Sequence, residues 1–325
     1  MKRIVILGAT GYTGHELLKL LKNHPGVELV ALNSRSYAGQ KVSSLYQDFE
    51  GGETYTNYSF EQINAMKPDL IFSALPHRVS MDAIEKLDKS IKVIDLSADY
   101  RFKDHKKYEQ IYGREHLTTT NDAVYGLPEL FEEEIKKARL VANPGCYATV
   151  AVLAVYPIQK HADHIILDCK SGWSGAGRAS DYAKDPSIVK DNLIAYNLTR
   201  HRHKYEVEQF ITTKLSFTPH VIDTFQGMMC TAHVLLNKDI TPEEVLGLYE
   251  DFYKDSAFVR VGKAAPHIRH TQKTNFCHIG GFEIDETNQL VIISTIDNLI
   301  KGASGQAVHN MNLMLGFEPA TGLNL

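Results

Sequence analysis

A glycine triplet near the start of the chain constrains its fold more than any other feature. Gly8, Gly11 and Gly14 are spaced G-x-x-G-x-x-G between the apolar run RIVILG and the helical stretch GHELLKLLKNHP. Glycine permits a tight turn and lets a pyrophosphate approach the backbone. The N-terminus of the following helix then stabilises the anion. A second strand-like run, VELVALNS, follows about twenty residues on, as a dinucleotide-binding unit requires.

The end of that second run discriminates between the nicotinamide cofactors. An NAD site places Asp or Glu there for the ribose hydroxyl. Here Asn33 is followed by Ser34, Arg35 and Ser36, with no carboxylate. Arg35 and the serines suit a 2′-phosphate, so NADP(H) is the expected cofactor. The alternative is an Arg35 that is merely exposed.

The first half continues as alternating strands and helices. DLIFSAL and KVIDLSA are short apolar runs, with helical RVSMDAIEKLDKS between them. This pattern predicts βαβ units and a parallel sheet. The second half is richer in strand-like runs: HADHIILDCKSG, KLSFTPHVI, MMCTAHVLLN, NFCHIGGFEID and QLVIISTID. A mixed or antiparallel sheet fits these better. One helix, TPEEVLGLYEDFYKDS, interrupts them, with Thr241 as N-cap and Glu244 three residues later. SGQAVHNMNLMLGF near the end reads as an amphipathic helix. The 325 residues suffice for two domains. The pattern therefore predicts a dinucleotide-binding domain with a parallel sheet, followed by a domain with a mixed or antiparallel sheet, and a boundary near residue 147.

Bulk properties exclude several classes. A net charge of -4 argues against a nucleic-acid binder, though phosphorylated ligands need only local positive charge. The start MKRIVILGATGYTG lacks a signal-peptide or transit-peptide pattern, and no apolar stretch reaches about 18 residues. A cytoplasmic protein with no membrane span is expected. Cys146, Cys169, Cys230 and Cys277 form no C-x-x-C pair, which fits a reducing compartment without disulfides or structural zinc.

Cys146 stands apart from the other three. It follows the N-P-G corner and heads the apolar run CYATVAVLAVYPI. At the first turn of a helix, free N–H groups and a nearby imidazole favour the thiolate. The other cysteines lie inside strand-like runs and read as small core hydrophobes. A general acid/base is needed beside such a thiol. HRHKYEVEQF is the densest histidine cluster: His201, Arg202, His203 and Glu206. His203 and Glu206 are three apart and share a face if helical, so the carboxylate can orient the imidazole. No third ligand accompanies the His pair at a diagnostic spacing, so no metal is expected. KSGWSGAGR, Lys170 to Arg178, is either an anion nest or a flexible hairpin turn.

Taken together, these segments resemble the N-acetyl-gamma-glutamyl-phosphate reductase family, relatives of aspartate-semialdehyde dehydrogenase. GATGYTG, ALPH, VIDLSADYRF, YGLPEL, NPGCYAT, KSGWSGAGR, HRHKYEVEQ, FTPH and IDNLIKGASGQAVHNMNLMLGF follow that family's blocks in order, over essentially the whole chain. The resemblance implies NADPH-dependent reduction of N-acetyl-gamma-glutamyl phosphate to N-acetylglutamate 5-semialdehyde and phosphate, through a cysteine thioester. Cys146 takes the nucleophile position. His203, with His201 and Glu206, carries the acid/base work. Cofactor contacts fall on Gly8, Thr10, Gly11, Tyr12, Thr13, Gly14, Ser34, Arg35, Ser36, Ser174, Gly175 and Gln306. Substrate contacts fall on Asn143, Ser171, Arg178 and Arg202. The resemblance also implies an α/β Rossmann-type dinucleotide-binding domain, residues 1–147, plus an α+β catalytic domain, residues 148–302, with a mixed or antiparallel sheet. It further implies a homo-oligomer, dimer or tetramer, and a C-terminal helix at about 303–325 that returns to the first domain.

Two segments depart from the family's pattern. Asp223 stands near an expected proline, Gln226 replaces the arginine of an Arg-Gly pair, and Lys204-Tyr205 stand where a proline is common. Gln cannot supply a guanidinium's bidentate anion contact. Arg178 or Arg202 can compensate. The same chemistry on another N-acyl or carrier-bound acyl phosphate therefore stays open, as does a non-catalytic dinucleotide sensor.

Overall fold

The short apolar runs of the first half become the strands of one parallel sheet. The computed structural model describes residues 1–118 and 122–323. Its strands are β1 (Lys2–Leu7), β2 (Val27–Asn33), β3 (Leu70–Ser73), β4 (Lys92–Asp95), β5 (Val124–Tyr125) and β6 (Leu140–Ala142). They are ordered β2-β1-β3-β4-β6-β5, with every pair parallel. β3 and β6 are buried throughout, as strands covered on both faces must be. Helices α1 (Tyr12–Lys22), α2 (Phe60–Met66), α3 (Val79–Ile84), α4 (His105–Tyr112) and α5 (Pro128–Lys137) connect them. α2 starts at a capping box in which Ser59 and Gln62 satisfy each other's amides.

Residues Gly145–Ala303 form a separate compact unit. Its strands are β7 (Ala162–Gly172), β8 (Leu193–Ala195), β9 (Lys214–Ile222), β10 (Met228–Leu236), β11 (Val259–Val261), β12 (Cys277–Ile284) and β13 (Gln289–Ile296). They form a mixed seven-stranded sheet in the order β11-β12-β13-β10-β7-β9-β8. β11/β12 and β7/β9 are parallel and the remaining pairs antiparallel. Alternate residues of β7, β9 and β10, among them Ile165, Leu167, Phe217, Ala232 and Val234, point into the core.

The helices of this unit are α6 (Cys146–Val155), α7 (Asp181–Lys184), α8 (Arg202–Val207) and α9 (Pro242–Tyr253). Every residue of α6 after Cys146 is buried, and the helix lies against β10 and β13. α9 begins with the expected Thr241–Glu244 capping box. From α9, the Tyr249 and Tyr253 hydroxyls donate to the Ala154 and Leu153 carbonyls, covering otherwise unpaired acceptors at the end of α6.

The other unit combines residues Met1–Pro144 with Ser304–Leu323. Its last helix, α10 (Gly305–Leu315), corrects the sequence reading. It is not amphipathic in the usual sense, because Gly305–Met314 are all buried, including Gln306, Asn310 and Asn312. Hydrogen bonds replace the solvated face. Gln306 Nε2 and Asn310 Nδ2 both donate to the Gly126 carbonyl, at 2.8 and 2.9 Å. Asn312 Nδ2 donates to the Pro319 and Thr321 carbonyls at 2.9 Å each. Buried amides that are paired in this way carry little penalty. The last two residues of the expected 303–325 segment lie outside the described residues.

Candidate active site

The three glycines of the first turn serve different needs. Gly8 lies at the end of β1 with φ +78, and a Cβ there would meet the Ala74 carbonyl oxygen at 2.5 Å. Gly14, inside α1, would place a Cβ 2.6 Å from the Gly8 oxygen. Both are therefore demanded by the protein's own packing. Gly11, the N-cap of α1, would meet only the Gly8 oxygen, at 3.9 Å. Its side is open, as an approaching pyrophosphate requires. Tyr12 is the first residue of α1, and the Thr13 carbonyl accepts from Ser304 Oγ at 2.9 Å.

The end of β2 meets this turn. Thr10 Oγ1 and Ser34 Oγ lie 3.4 Å apart, and the Tyr46 hydroxyl donates to the Thr10 carbonyl at 3.1 Å. Ser34 is buried, whereas Arg35 and Ser36 are exposed. Arg35 forms no ion pair among the described residues, which leaves its guanidinium available to a phosphate. In the same unit, Gln306 Oε1 is buried with no partner among the described residues. An open glycine, an uncommitted arginine and an orphaned acceptor are what a dinucleotide needs, so these residues fit a nicotinamide cofactor. Asn143 is buried at the end of β6. Its Oδ1 accepts from Asn310 Nδ2 at 3.0 Å, and its carbonyl accepts from Arg101 Nε at 2.8 Å.

The thiol site is built on α6. Cys146 is the first helical residue and the only one of the four cysteines that is partly exposed. Cys169 and Cys230 face each other across β7 and β10, and burial with the neighbouring thiol pushes Cys169 well above the usual thiol range. Cys277 Sγ lies 3.3 Å from Ser294 Oγ. Glu206 is fully buried on α8, and its Oε1 accepts from the Gly145 amide at 2.8 Å. This carboxylate, paired with His203 by sequence spacing, also fixes the head of the thiol's helix. Gly302 was not singled out from the sequence. A Cβ there would lie 2.7 Å from Cys146 Cβ, so only glycine lets this stretch of backbone lie against Cys146.

The two histidines occupy distinct positions. His201 is the N-cap of α8, and its Nδ1 accepts from the His203 amide at 3.2 Å. The neutral ring therefore carries its proton on Nε2, which lies 3.3 Å from the Tyr196 hydroxyl. Tyr196 donates on to Tyr147, and Tyr147 to the His220 carbonyl at 2.8 Å. Burial, reinforced by Arg202, lowers the His201 pKa to about 4. His203 lies within the first turn of α8, partly exposed, with its ring 5.8 Å from that of Tyr147. Arg202 is exposed.

The KSGWSGAGR segment is less open to an anion than its composition implies. The Gly172, Trp173 and Ser174 amides donate to the carbonyls of Gly227, Thr224 and Phe225 at 2.8, 2.9 and 3.0 Å. These N–H groups are spent within the protein. Ser171 and Ser174 are buried, Gly175 is exposed, and Arg178 is partly exposed. Asn298 ties the segment down, donating to Ser174 Oγ at 2.9 Å and accepting from the Gly227 amide at 2.7 Å. Gln226 Nε2 donates to Asp297 Oδ2. Asp223 Oδ2 accepts from the Asp191 amide at 2.8 Å.

A parallel dinucleotide-type sheet joined to a mixed-sheet unit with a thiol at a helix head defines the semialdehyde dehydrogenase class. Residues 3–138 match the family described as semialdehyde dehydrogenase, NAD binding domain. Residues 146–298 match semialdehyde dehydrogenase, dimerisation domain. An N-acetyl-gamma-glutamyl-phosphate reductase of Methanocaldococcus jannaschii is 46% identical, over 99% of this chain and 98% of that one. Its counterpart from Archaeoglobus fulgidus is 44% identical, over 99% of this chain and 98% of that one. The chain belongs to the N-acetyl-gamma-glutamyl-phosphate reductase family. The fold is shared more widely. An aspartate semialdehyde dehydrogenase with NADP from Candida albicans superposes with a TM-score of 0.73 at 16% identity, covering 97% of this chain and 99% of that chain. Aspartate semialdehyde dehydrogenase II from Vibrio cholerae, complexed with ASA, gives 0.72 at 17%, covering 97% and 98%. No helix among the described residues is long and apolar enough to cross a membrane.

Proposed function

We propose that this chain reduces N-acetyl-gamma-glutamyl phosphate to N-acetylglutamate 5-semialdehyde and phosphate, with NADPH as reductant, through a thioester on Cys146. The observation that carries this reading is the position of Cys146, the one partly exposed thiol, at the head of a helix whose N-cap amide is held by buried Glu206.

Cys146 Sγ attacks the γ-acyl carbon. A C–S bond forms, the C–O bond to phosphorus breaks, and phosphate leaves with the electron pair. Splitting the reduction at a thioester replaces one hard step with easier ones. When bound, NADPH supplies the hydride that reduces the thioester carbon. The amides at the head of α6 stabilise the resulting oxyanion, an effect worth about 3 kcal/mol in comparable sites. His203 lends the oxyanion a proton and recovers it as the C–S bond breaks and the aldehyde forms. His201 suits this role less well. Its Nδ1 is occupied by the His203 amide, and its lowered pKa keeps it unprotonated near neutrality. It instead seats the ring network of Tyr147 and Tyr196.

The glycine turn, with Thr10, Tyr12 and Thr13, holds the pyrophosphate, and Ser34, Arg35 and Ser36 select the 2′-phosphate. Ser174, Gly175 and Gln306 complete the cofactor contacts. Asn143, Ser171, Arg178 and Arg202 bind the acyl phosphate. The enzyme works in the cytoplasm as a homo-oligomer assembled through residues 146–298.

The test is phosphate-dependent reduction of NADP by N-acetylglutamate semialdehyde. Cys146→Ser is expected to abolish it, and NADH to substitute poorly for NADPH in the reverse direction. Near-wild-type activity in the Ser variant sinks the thioester route. A clear preference for N-succinyl or free amino substrates would reassign the acyl group.

A further inference from the structure

The Gln226 side chain has a definite partner, the carboxylate of Asp297. Asp297 is fully buried just beyond β13. Its Oδ1 accepts from the Leu299 and Ile300 amides at 2.8 and 3.0 Å. Its Oδ2 accepts from the Lys273 amide at 2.6 Å and from Gln226 Nε2. No Lys, Arg or His side chain pairs with this carboxylate among the described residues. Four N–H donors, one of them from Gln226, therefore hold a buried carboxyl group, and burial makes each donor costly to lose.

What Asp297 holds is the backbone beside the thiol. Leu299 and Ile300 lead into a π-helical turn, Ile300–Ser304, a rare geometry that concentrates at functional positions. The Gly302 amide donates to the Asp297 carbonyl at 2.8 Å. Gly302 is the residue whose missing side chain admits Cys146. A second link runs in parallel, because the Gly227 amide donates to Asn298 Oδ1. Gln272 Nε2 also donates to the Gln226 carbonyl at 2.6 Å. Residues 226–227 are thus tied to 297–298 through both a side chain and the backbone.

We infer that Gln226 is a positioning residue for Cys146: through Asp297 it fixes the turn that carries Gly302, the backbone packed against the Cα and Cβ of Cys146. It acts on the nucleophile and not on the acyl phosphate. What the position must supply is then an N–H donor to Asp297. The inference rests on Cys146 being the nucleophile.

The experiment compares Gln226→Met, which removes the donor at similar volume, with Gln226→Arg, which restores N–H groups and adds charge. Each full-length variant is assayed for phosphate-dependent NADP reduction and for iodoacetamide alkylation of Cys146 at neutral pH. Gln226→Met is expected to lower kcat about tenfold with KM for the semialdehyde nearly unchanged. Alkylation of Cys146 slows with it, and Gln226→Arg recovers most of both rates. A raised KM with kcat and alkylation unchanged overturns the inference and makes Gln226 a substrate contact. Unchanged values throughout overturn it as well. If Gln226→Met does not fold, Asp297→Asn gives the same alkylation readout. A wild-type enzyme without phosphate-dependent activity would instead refute the proposed reaction, and the alkylation rates would still report on the clamp.

Discussion

Glu206 Oε1 accepts the Gly145 amide proton at 2.8 Å, so a fully buried carboxylate on α8 sets the first turn of the helix that carries Cys146. The contact ties the segment bearing both histidines to the N-cap of the helix that carries the thiol. Glu206→Ala leaves a buried amide unpaired, at a cost of about 1–3 kcal/mol. It should lower kcat by about a hundredfold, whereas Glu206→Gln, which keeps an acceptor oxygen, should lose much less. Thermal melts and steady-state kinetics on both variants check this. Equal losses would mean that the charge matters and not the acceptor.

The glycine turn makes three distinct predictions from one motif. Gly8→Ala forces a left-handed φ on alanine and a clash at 2.5 Å, and Gly14→Ala a clash at 2.6 Å, in both cases with backbone. Each should destabilise the protein by about 1–3 kcal/mol. Gly11→Ala meets nothing closer than 3.9 Å at an ordinary φ of -76. It should melt like wild type but raise the KM for NADPH at least tenfold, because its new methyl occupies the space the pyrophosphate needs. If Gly11→Ala binds NADPH normally, the cofactor does not lie against this turn.

Acidification should destabilise the native chain. His15 stacks on Tyr46 with ring centroids 3.6 Å apart, and burial with nearby Lys19 lowers its pKa to about 4. His201 is lowered to about 4 by burial and Arg202. Both folded values lie below 6.5, so the unfolded chain protonates first as pH falls. The stability from these two rings is present above pH 6.5 and is lost towards pH 4. Asp95 opposes them. Burial raises it to about 6, so its contribution is present below 3.8 and is lost as pH rises through 6. Two histidine shifts outweigh one carboxylate. Tm should fall by about 2–4 °C or more between neutrality and mild acid, and His15→Phe should flatten the slope. A Tm that rises on acidification would refute this balance.

The sequence made some of this legible and hid the rest for physical reasons. The β1–α1–β2 unit was readable because its signals are local: an apolar run, spaced glycines and a helix. The thiol was readable because a proline-glycine corner precedes it. Gly302 was not, since its need for a bare Cα arises from a residue distant in sequence. Asp297 resembles any acid before a turn until its four donors are in place. α10 reads as an amphipathic helix, and only tertiary structure supplies the carbonyls that let Gln306, Asn310 and Asn312 be buried. Short polar helices such as α2 and α4 carry too little periodicity to stand out.

The placement of α10 also bears on how the protein is made. The thiol-bearing unit is one uninterrupted stretch, while the nucleotide-binding unit is assembled from both ends of the chain. During vectorial synthesis the interior unit is complete before α10 leaves the ribosome, and it has the opportunity to fold first. The unit translated earliest is then the last to close, waiting for two amide side chains to reach the Gly126 carbonyl.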